Sequence, residues 1–198
     1  MSVILLAAGR SSRMGKPKGL VQIENRPWIE WQLESLRAAG AETVVIVLGH
    51  DAEAYETALA KIAIAGLSAV TTRNLDPDRG QFSSIQEGLR CALSSGFAAG
   101  GAEILPVDVP CANLETWKRM REAQNDRNAL VPVMKGRGGH PVWISETFAK
   151  SLVLLDPVDP ESRLDLRIHR LPAGQVAHVE VDDPAILANF NTESDFPA

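Results

Sequence analysis

The chain alternates short, continuous apolar runs with longer segments whose apolar residues recur at helical spacing. Short runs without polar alternation are typical of strands buried on both faces of a parallel sheet. Strands are predicted at Val3–Leu6, Thr43–Leu48, Leu67–Thr72, Glu103–Val107, Ala129–Val133, Pro141–Ile144 and Ala177–Val181. Helices are predicted between them at Pro27–Ala39, Ala52–Ala65, Ser83–Ser95 and Leu114–Gln124.

Turn and capping residues mark the ends of these helices. Pro27 suits the first position of a helix, and Gly40 suits the position just past its end. Ser83 and Ser84, each followed three residues later by a glutamine or a glutamate, form a capping-box pattern. The segment Leu155–Arg170 has no clear periodicity and is predicted to be an irregular surface excursion.

Strands and helices in alternation predict an α/β protein, with a mostly parallel sheet covered by helices on both faces. A chain of 198 residues fits a single domain over residues 1–198. In such sheets, ligands bind outside the carboxyl ends of the strands. The segments that follow predicted strands are therefore the candidate sites of chemistry: 7–18, 49–51, 73–84, 108–110 and 135–140.

Composition narrows the class of protein. A net charge of −5 and a pI of about 5.4 argue against general nucleic-acid binding, which usually needs a basic face. Cys91 and Cys111 form neither a disulfide framework nor a zinc-ligand spacing. No apolar run resembles a signal peptide or approaches the length of a membrane span. We expect a cytoplasmic protein without nucleic-acid or membrane partners.

The first turn is unexpectedly basic for an acidic chain. The stretch VILLAAGRSSRMGKPK holds Gly9 and Gly15 among four basic side chains, and no acidic residue precedes position 24. Glycines let backbone N–H groups approach an anion, and basic side chains add charge-assisted bonds to phosphate. The spacing is neither that of a Walker A loop nor that of a dinucleotide fingerprint. A phosphate-binding turn is therefore predicted, and a solvated basic turn is the alternative.

The same stretch, LAAGRSSRMGKPK, resembles the L-A-A-G-x-S-x-R-M-G-x-x-K signature of the MobA-like NTP transferase family. This family includes the molybdenum cofactor cytidylyl- and guanylyltransferases and is related to the sugar-nucleotide pyrophosphorylases. The resemblance implies a nucleotide-diphospho-sugar transferase type of fold whose first loop wraps the triphosphate, with Arg13 and Lys18 in catalytic roles. The nucleotide-binding residues that it implies here are Leu6, Ala7, Ala8, Gly9, Arg10, Ser12, Arg13, Gly15 and Lys18.

A second segment, NLDPDRGQFSSIQEG, resembles the family's N-x(5)-G-x-x-x-S-x-x-x-G pattern. The resemblance implies that Asn74, Gly80, Ser83 and Ser84 contact the base and ribose. Independently of the family, Gly80 followed by two serines at a helix start offers hydroxyls and free amides to a ligand. An ordinary loop and helix cap would explain the serines equally well.

Two further positions point to a metal ion. Asp108 follows a predicted buried strand, where a carboxylate can bind Mg²⁺ beside substrate phosphates. The family's D-x-P motif matches Asp108 and Pro110, so the resemblance makes Asp108 catalytic and a ligand of Mg²⁺, although a plain turn aspartate would also fit. The ending Asn189-Phe190-Asn191 resembles the guanylyltransferase branch and implies Asn191 as an uncharged second ligand.

The segment GRGGHP resembles the G-R-x-G-H-P motif of the cytidylyltransferase branch. The resemblance implies that Gly139, His140 and Pro141 face the acceptor substrate. A lone histidine is more often structural, so a catalytic role for His140 is not assigned. The acceptor-side pattern G-D-x-G-A-R is missing, and residues 156–163 stand in its place.

Together these motifs imply that a nucleoside monophosphate moves from an NTP to a phosphorylated acceptor, with Mg²⁺ and release of pyrophosphate. The Ala-Ala-Gly turn and the Gly-His-Pro segment favour CTP, and the Asn189/Asn191 ending favours GTP. The acceptor is expected to be molybdopterin, with a sugar phosphate as the alternative, and the product would pass to a molybdoenzyme or its chaperone. The alternative to an enzyme is a regulatory protein of the same fold that binds a nucleotide without catalysis.

Overall fold

The computed structural model describes residues 1–11 and 14–197, so Ser12, Arg13 and Ala198 lie outside the described residues. The strands are β1 (Ser2–Ala7), β2 (Gln22–Ile23), β3 (Arg26–Pro27), β4 (Thr43–Leu48), β5 (Ser68–Arg73), β6 (Ala102–Pro106), β7 (Ala129–Met134), β8 (Arg137–Gly138), β9 (Val142–Ile144) and β10 (Val176–Glu180). The helices are α1 (Trp28–Ala38), α2 (Ala52–Leu59), α3 (Gln81–Ser94), α4 (Leu114–Glu122), α5 (Glu146–Leu152) and α6 (Leu164–His169).

The main sheet has the strand order β10-β7-β9-β6-β1-β4-β5, and β8 pairs with β7 at its side. β5, β4, β1 and β6 run parallel, as do β7 and β10. β9 is antiparallel to both of its neighbours. The prediction of a mostly parallel sheet is therefore confirmed, and the parallel strands all end at one edge.

Alternation along β1 explains the three layers. Val3, Leu5 and Ala7 pack into one apolar core together with residues of α1, α2 and α4. Ile4 and Leu6 point to the opposite core, which contains residues of α3, α5 and α6. A strand that is apolar on both faces needs helices on both faces, which is why the run at Val3–Leu6 carries no polar alternation.

The predicted helices are present, but several boundaries were wrong. α2 ends at Leu59 rather than Ala65, because the chain tightens into i→i+3 turns and then directs Ile62 and Ile64 toward the core. α3 begins at Gln81 with Gly80 in the capping position and no side-chain cap. The predicted capping box of Ser83 and Ser84 was therefore wrong, since both serines lie inside the first turn.

The segment predicted as an irregular excursion contains α6, so that prediction was wrong in part. Ile168 of this helix is buried in the core, which orders the segment despite its polar composition. α5 was not predicted either, although Ser145 caps it by accepting a hydrogen bond from the Phe148 amide at 3.1 Å. In the described part of the chain, no helix is long and apolar enough to cross a membrane.

Candidate active site

The loop after β1 opens onto a cavity of about 450 Å³ at the carboxyl edge of the sheet. The walls come from the ends of β1 and β6 and from the start of α3. Ser12 and Arg13, predicted to bind the nucleotide, lie outside the described residues, and Gly15 does not line the cavity. Of the residues predicted in this loop, those that do line it are Leu6, Ala7, Ala8, Gly9, Arg10 and Lys18.

Lys18, Asp108 and Asn191 converge at this edge although they are far apart in the chain. The Lys18 Nζ donates to Asp108 Oδ2 at 2.7 Å and to Asn191 Oδ1 at 3.0 Å. The Lys18 and Asp108 side chains are only 15% and 25% exposed, so this ion pair is partly shielded from water. The predicted phosphate-binding lysine and both predicted metal ligands thus form one cluster.

The oxygens of Asp108 and Asn191 fit a divalent cation. Both accept a hydrogen bond from the Lys18 ammonium, and both are the hard oxygen donors that Mg²⁺ prefers. Among residues 1–11 and 14–197, no group of three or more His, Cys, Asp or Glu side chains could hold a metal. A cation here would need its remaining ligands from water and substrate phosphates, as is usual for Mg²⁺ in nucleotide sites.

Tyr55 holds the backbone next to Lys18. Its hydroxyl accepts a hydrogen bond from the Gly19 amide at 2.9 Å, and its ring is buried beneath the loop. A Cβ at Gly19 would lie 2.7 Å from the Tyr55 ring, so glycine is required for this close approach. Burial raises the pKa of Tyr55, which keeps the hydroxyl protonated across the physiological pH range.

Asn191 is held in place by its own C-terminal segment. The Asp195 carboxylate accepts hydrogen bonds from the backbone amides of Asn191 at 2.8 Å and Thr192 at 2.7 Å. These bonds lower the pKa of Asp195, so the carboxylate stays ionised well into the acid range. The turn that presents Asn191 is therefore fixed by a charge-assisted contact.

An aromatic cluster attaches the same segment to the rest of the fold. The Trp28 ring lies 5.3 Å from Phe190 and 5.5 Å from Phe196, centroid to centroid. The Phe190 amide donates to the backbone oxygen of Asp108 at 2.8 Å. The cluster thus brings Asn191 beside Asp108, and the sequence did not predict it because Trp28 is more than 160 positions away from the two phenylalanines.

The positive charge of the first turn is matched by acids from distant segments. Arg10 Nε donates to Asp78 Oδ1 at 3.0 Å, which lowers the pKa of Asp78, and His50 Nε2 lies 3.1 Å from the same oxygen. Lys16 forms an ion pair with Glu193. The positive charges of Arg10 and Lys16 are therefore compensated by tertiary contacts, and the prediction from local sequence missed these partners because they are distant in the chain.

Asn74 joins the two serines of α3. Its Nδ2 donates to Ser83 Oγ at 2.8 Å and to Ser84 Oγ at 2.9 Å, and both serines are buried. Ser84 lines the 450 Å³ cavity, whereas Gly80 lines a larger neighbouring one. The four residues predicted to contact base and ribose thus lie at one place, where the serine hydroxyls are engaged with Asn74.

The larger cavity, of about 1140 Å³, adjoins the first. Gly139 and His140 line it, with residues of the segment before and around α6 on the far side. A Cβ at Gly139 would lie 2.2 Å from the Ile186 carbonyl oxygen, so this turn packs directly on the C-terminal segment. The cis bond between His140 and Pro141 follows at the start of β9.

His140 carries no charge at neutral pH. Burial lowers its pKa, and no described residue pairs with its Nδ1. A neutral imidazole can bond to an acceptor molecule but does not supply a positive charge to it. The two cavities share Leu6, Asp78 and Gln81 on their common wall, so ligands in both would meet near the end of β1.

Comparison with known proteins identifies the family. The family model described as the MobA-like NTP transferase domain matches residues 3–165. The chain is similar to a probable molybdenum cofactor guanylyltransferase from Bacillus cereus, with 29% identity over 68% of this chain and 62% of that protein. It is 33% identical to the bifunctional protein GlmU of Cutibacterium acnes over 67% of this chain, but spans only 31% of that protein.

Solved structures agree with this assignment. The crystal structure of Rv0371c from Mycobacterium tuberculosis superposes with a TM-score of 0.76 and 25% identity, covering 98% of this chain and 95% of that chain. A structure of Rv0371c in complex with manganese superposes with a TM-score of 0.67 and 26% identity, over 91% and 88% of the two chains. The predicted resemblance is therefore confirmed: this chain belongs to the MobA-like NTP transferase family.

Proposed function

We propose that the protein transfers a nucleoside monophosphate, CMP in preference to others, from an NTP to molybdopterin, with Mg²⁺ and release of pyrophosphate. The observation that carries this proposal is the convergence of Lys18, Asp108 and Asn191 at the 450 Å³ cavity, which Lys18 and Asp108 line and which shares a wall with the larger cavity. The smaller cavity has room for a nucleotide and is lined by Arg10 and Lys18, and the larger one has room for an acceptor.

The nucleotide would lie in the 450 Å³ cavity, with its phosphates along the loop after β1. The backbone around Gly9 and the ammonium of Lys18 would bind the phosphates and offset the charge that develops on departing pyrophosphate. To do so, Lys18 would exchange at least one of its present bonds to Asp108 and Asn191 for a phosphate oxygen.

Asp108 and Asn191 would hold Mg²⁺, which when bound supplies positive charge beside the reacting phosphate oxygens. These residues and Lys18 act by position and charge. An oxygen of the acceptor's phosphate attacks the α-phosphorus, the bond from that phosphorus to the bridging oxygen breaks, and the electron pair leaves with pyrophosphate. The attacking oxygen is already anionic, so no general base is needed.

The base preference for CTP rests on the Ala7-Ala8-Gly9 turn and on the Gly-His-Pro segment beside the larger cavity. GTP is the second candidate, because the chain ends in Asn189 and Asn191 and is similar to a probable molybdenum cofactor guanylyltransferase. A sugar phosphate is the second candidate for the acceptor. We also propose that the protein acts in the cytoplasm. Its product would then pass to a molybdoenzyme or its chaperone.

A pyrophosphate-release assay tests the proposal directly. Each of CTP, GTP, UTP and ATP is supplied with Mg²⁺ and either molybdopterin or a sugar 1-phosphate, and binding is followed in parallel by thermal shift. We expect release with CTP and molybdopterin, and little without Mg²⁺. Release with GTP alone would overturn the base preference. An increase in melting temperature without release in any combination would favour the non-catalytic regulator.

A further inference from the structure

A buried glutamine of α1 holds the turn that carries Asp108. The Gln32 side chain is 1% exposed. Its Nε2 donates to the backbone oxygen of Val109 at 2.6 Å and to that of Val107 at 3.3 Å. Its Oε1 accepts from the Cys111 amide at 2.9 Å. One side chain therefore bonds the backbone on both sides of Asp108.

The neighbouring contacts fix the same turn from other directions. Trp28 Nε1 donates to the Val107 oxygen at 2.7 Å, and the Phe190 amide donates to the Asp108 oxygen at 2.8 Å. Without Gln32, the Val109 oxygen and the Cys111 amide would lose the partners that these bonds provide. Leaving such groups unpaired is costly, so the turn would move to find new partners.

A shift of this turn would act on the site through Asp108. Its carboxylate lies 2.7 Å from the Lys18 ammonium, and its backbone oxygen accepts from the Phe190 amide in the segment that leads to Asn191. Displacements of about 1 Å at a reacting group can cost about a hundredfold in rate. The polar side chain of Gln32 also faces an otherwise apolar core, where leucine or methionine would pack without hydrogen-bonding requirements.

We propose that Gln32 is a positioning residue that aims the Asp108 carboxylate at the Lys18 and Asn191 side chains. This inference rests on the proposed function, since it concerns the same site. Gln32 touches neither cavity, so its effect on catalysis passes entirely through the 107–111 turn.

Gln86 provides a matched control. It is also a glutamine, it is also 1% exposed, and its Nε2 donates to the backbone oxygens of Leu152 at 2.9 Å and Leu155 at 2.7 Å. It lies in α3 and bonds α5 and a residue after it, which pack in the core on the opposite face of the sheet from α1. Gln32→Met and Gln86→Met both remove buried hydrogen bonds at similar volume, so both should lose stability in urea unfolding.

The test measures kcat, KM and the half-saturating Mg²⁺ concentration for pyrophosphate release, and CTP binding by calorimetry in EDTA. For Gln32→Met we expect kcat to fall between about ten- and a hundredfold and half-saturating Mg²⁺ to rise, with the Kd for CTP in EDTA within about twofold of wild type. For Gln86→Met we expect kcat and half-saturating Mg²⁺ within about twofold of wild type.

Equal effects of the two substitutions on kcat, or an unchanged Mg²⁺ requirement in Gln32→Met, would overturn the positioning role. If Gln32→Met does not fold, Gln32→Asn keeps the amide group on a side chain one methylene shorter, so the bonds to Val109 and Cys111 weaken, and the same pattern is expected at smaller size. An inactive wild-type protein would instead contradict the proposed function. The Mg²⁺ dependence of CTP binding in the two glutamine variants would then decide the role of Gln32 by itself.

Discussion

Glu103 is a fully buried carboxyl near the start of β6, away from the candidate active site. It is 0% exposed, and neither of its carboxylate oxygens has a hydrogen-bond partner in the described part of the chain. Its neighbours across the sheet are Val3 and Trp143. Burial raises its pKa to about 8, and the positive charge of Arg121 only partly opposes this increase. We therefore predict that Glu103 makes the stability of the protein depend on pH.

The direction and the size of the pH effect on the free energy of unfolding follow from the pKa values of Glu103 in the folded and unfolded states. In the unfolded chain the carboxyl loses its proton near pH 4.5, whereas in the folded protein it keeps it until about pH 8. Between these values the folded state binds more protons, so each increase in pH favours unfolding by about 1.4 kcal/mol per unit. The loss begins near pH 4.5, amounts to roughly 3 kcal/mol at pH 7, and is complete just above pH 8 at roughly 5 kcal/mol.

Replacing Glu103 with glutamine isolates this contribution, because glutamine keeps the shape and does not titrate. We expect Glu103→Gln to match wild type near pH 4.5 and to be more stable by a few kcal/mol at pH 7 to 8. Urea unfolding followed by circular dichroism at pH 4.5, 6, 7 and 8.5 measures the difference at each pH. Glu122→Gln, at an exposed carboxyl of α4, is the control and should leave the pH profile unchanged.

A difference between Glu103→Gln and wild type that stays constant from pH 4.5 to 8.5 would refute this reasoning. It would mean that the folded protein ionises Glu103 at its ordinary pKa, through Arg121 or through water in the adjoining cavity of about 290 Å³. A larger stability of wild type at high pH would reverse the predicted sign altogether.

Three predictions concern the cluster of Lys18, Asp108 and Asn191. Asp108→Ala should lower kcat for pyrophosphate release by roughly a hundred- to a thousandfold with an unchanged circular dichroism spectrum, and near-normal release would remove it from the site. Lys18→Ala should weaken CTP binding in calorimetry and lower kcat together, and an unaltered titration and rate would contradict its phosphate role. Asn191→Asp adds a charge toward the cation and should lower the half-saturating Mg²⁺ concentration severalfold; a higher Mg²⁺ requirement would argue against ligation there.

The main strands could be predicted from the sequence because strands that are buried on both faces consist of continuous runs of apolar residues. The apolar runs at Val3–Leu6 and Thr43–Leu48 lie within β1 and β4 almost without correction. The two-residue strands β2 and β3 are too short to show such an apolar run. Their hairpin depends on positive φ values at Glu24 and Asn25, and the pair lacks the glycine that usually marks such a turn.

Only those residues of the candidate site that belong to recognisable sequence motifs could be predicted. Lys18, Asp108 and Asn191 stand in segments whose spacing resembles the family, and the topology brings those segments together. Asp78 and Gln32 could not be identified in that way, because their roles consist of contacts with residues 68 and 77 positions away. Long-range pairing is decided by the packed sheet and helices, and local sequence carries no trace of it.

The aromatic cluster of Trp28, Phe190 and Phe196 has a consequence for protein synthesis. When the ribosome has added residue 187, every strand of the main sheet has already been made, but Asn191 and the two phenylalanines have not. A chain cut there would retain its layers and yet lack one side of the Lys18 cluster. On the proposed function, the sheet could therefore form before the Lys18 cluster is complete, and a fragment that ends at residue 187 would keep the fold without the activity.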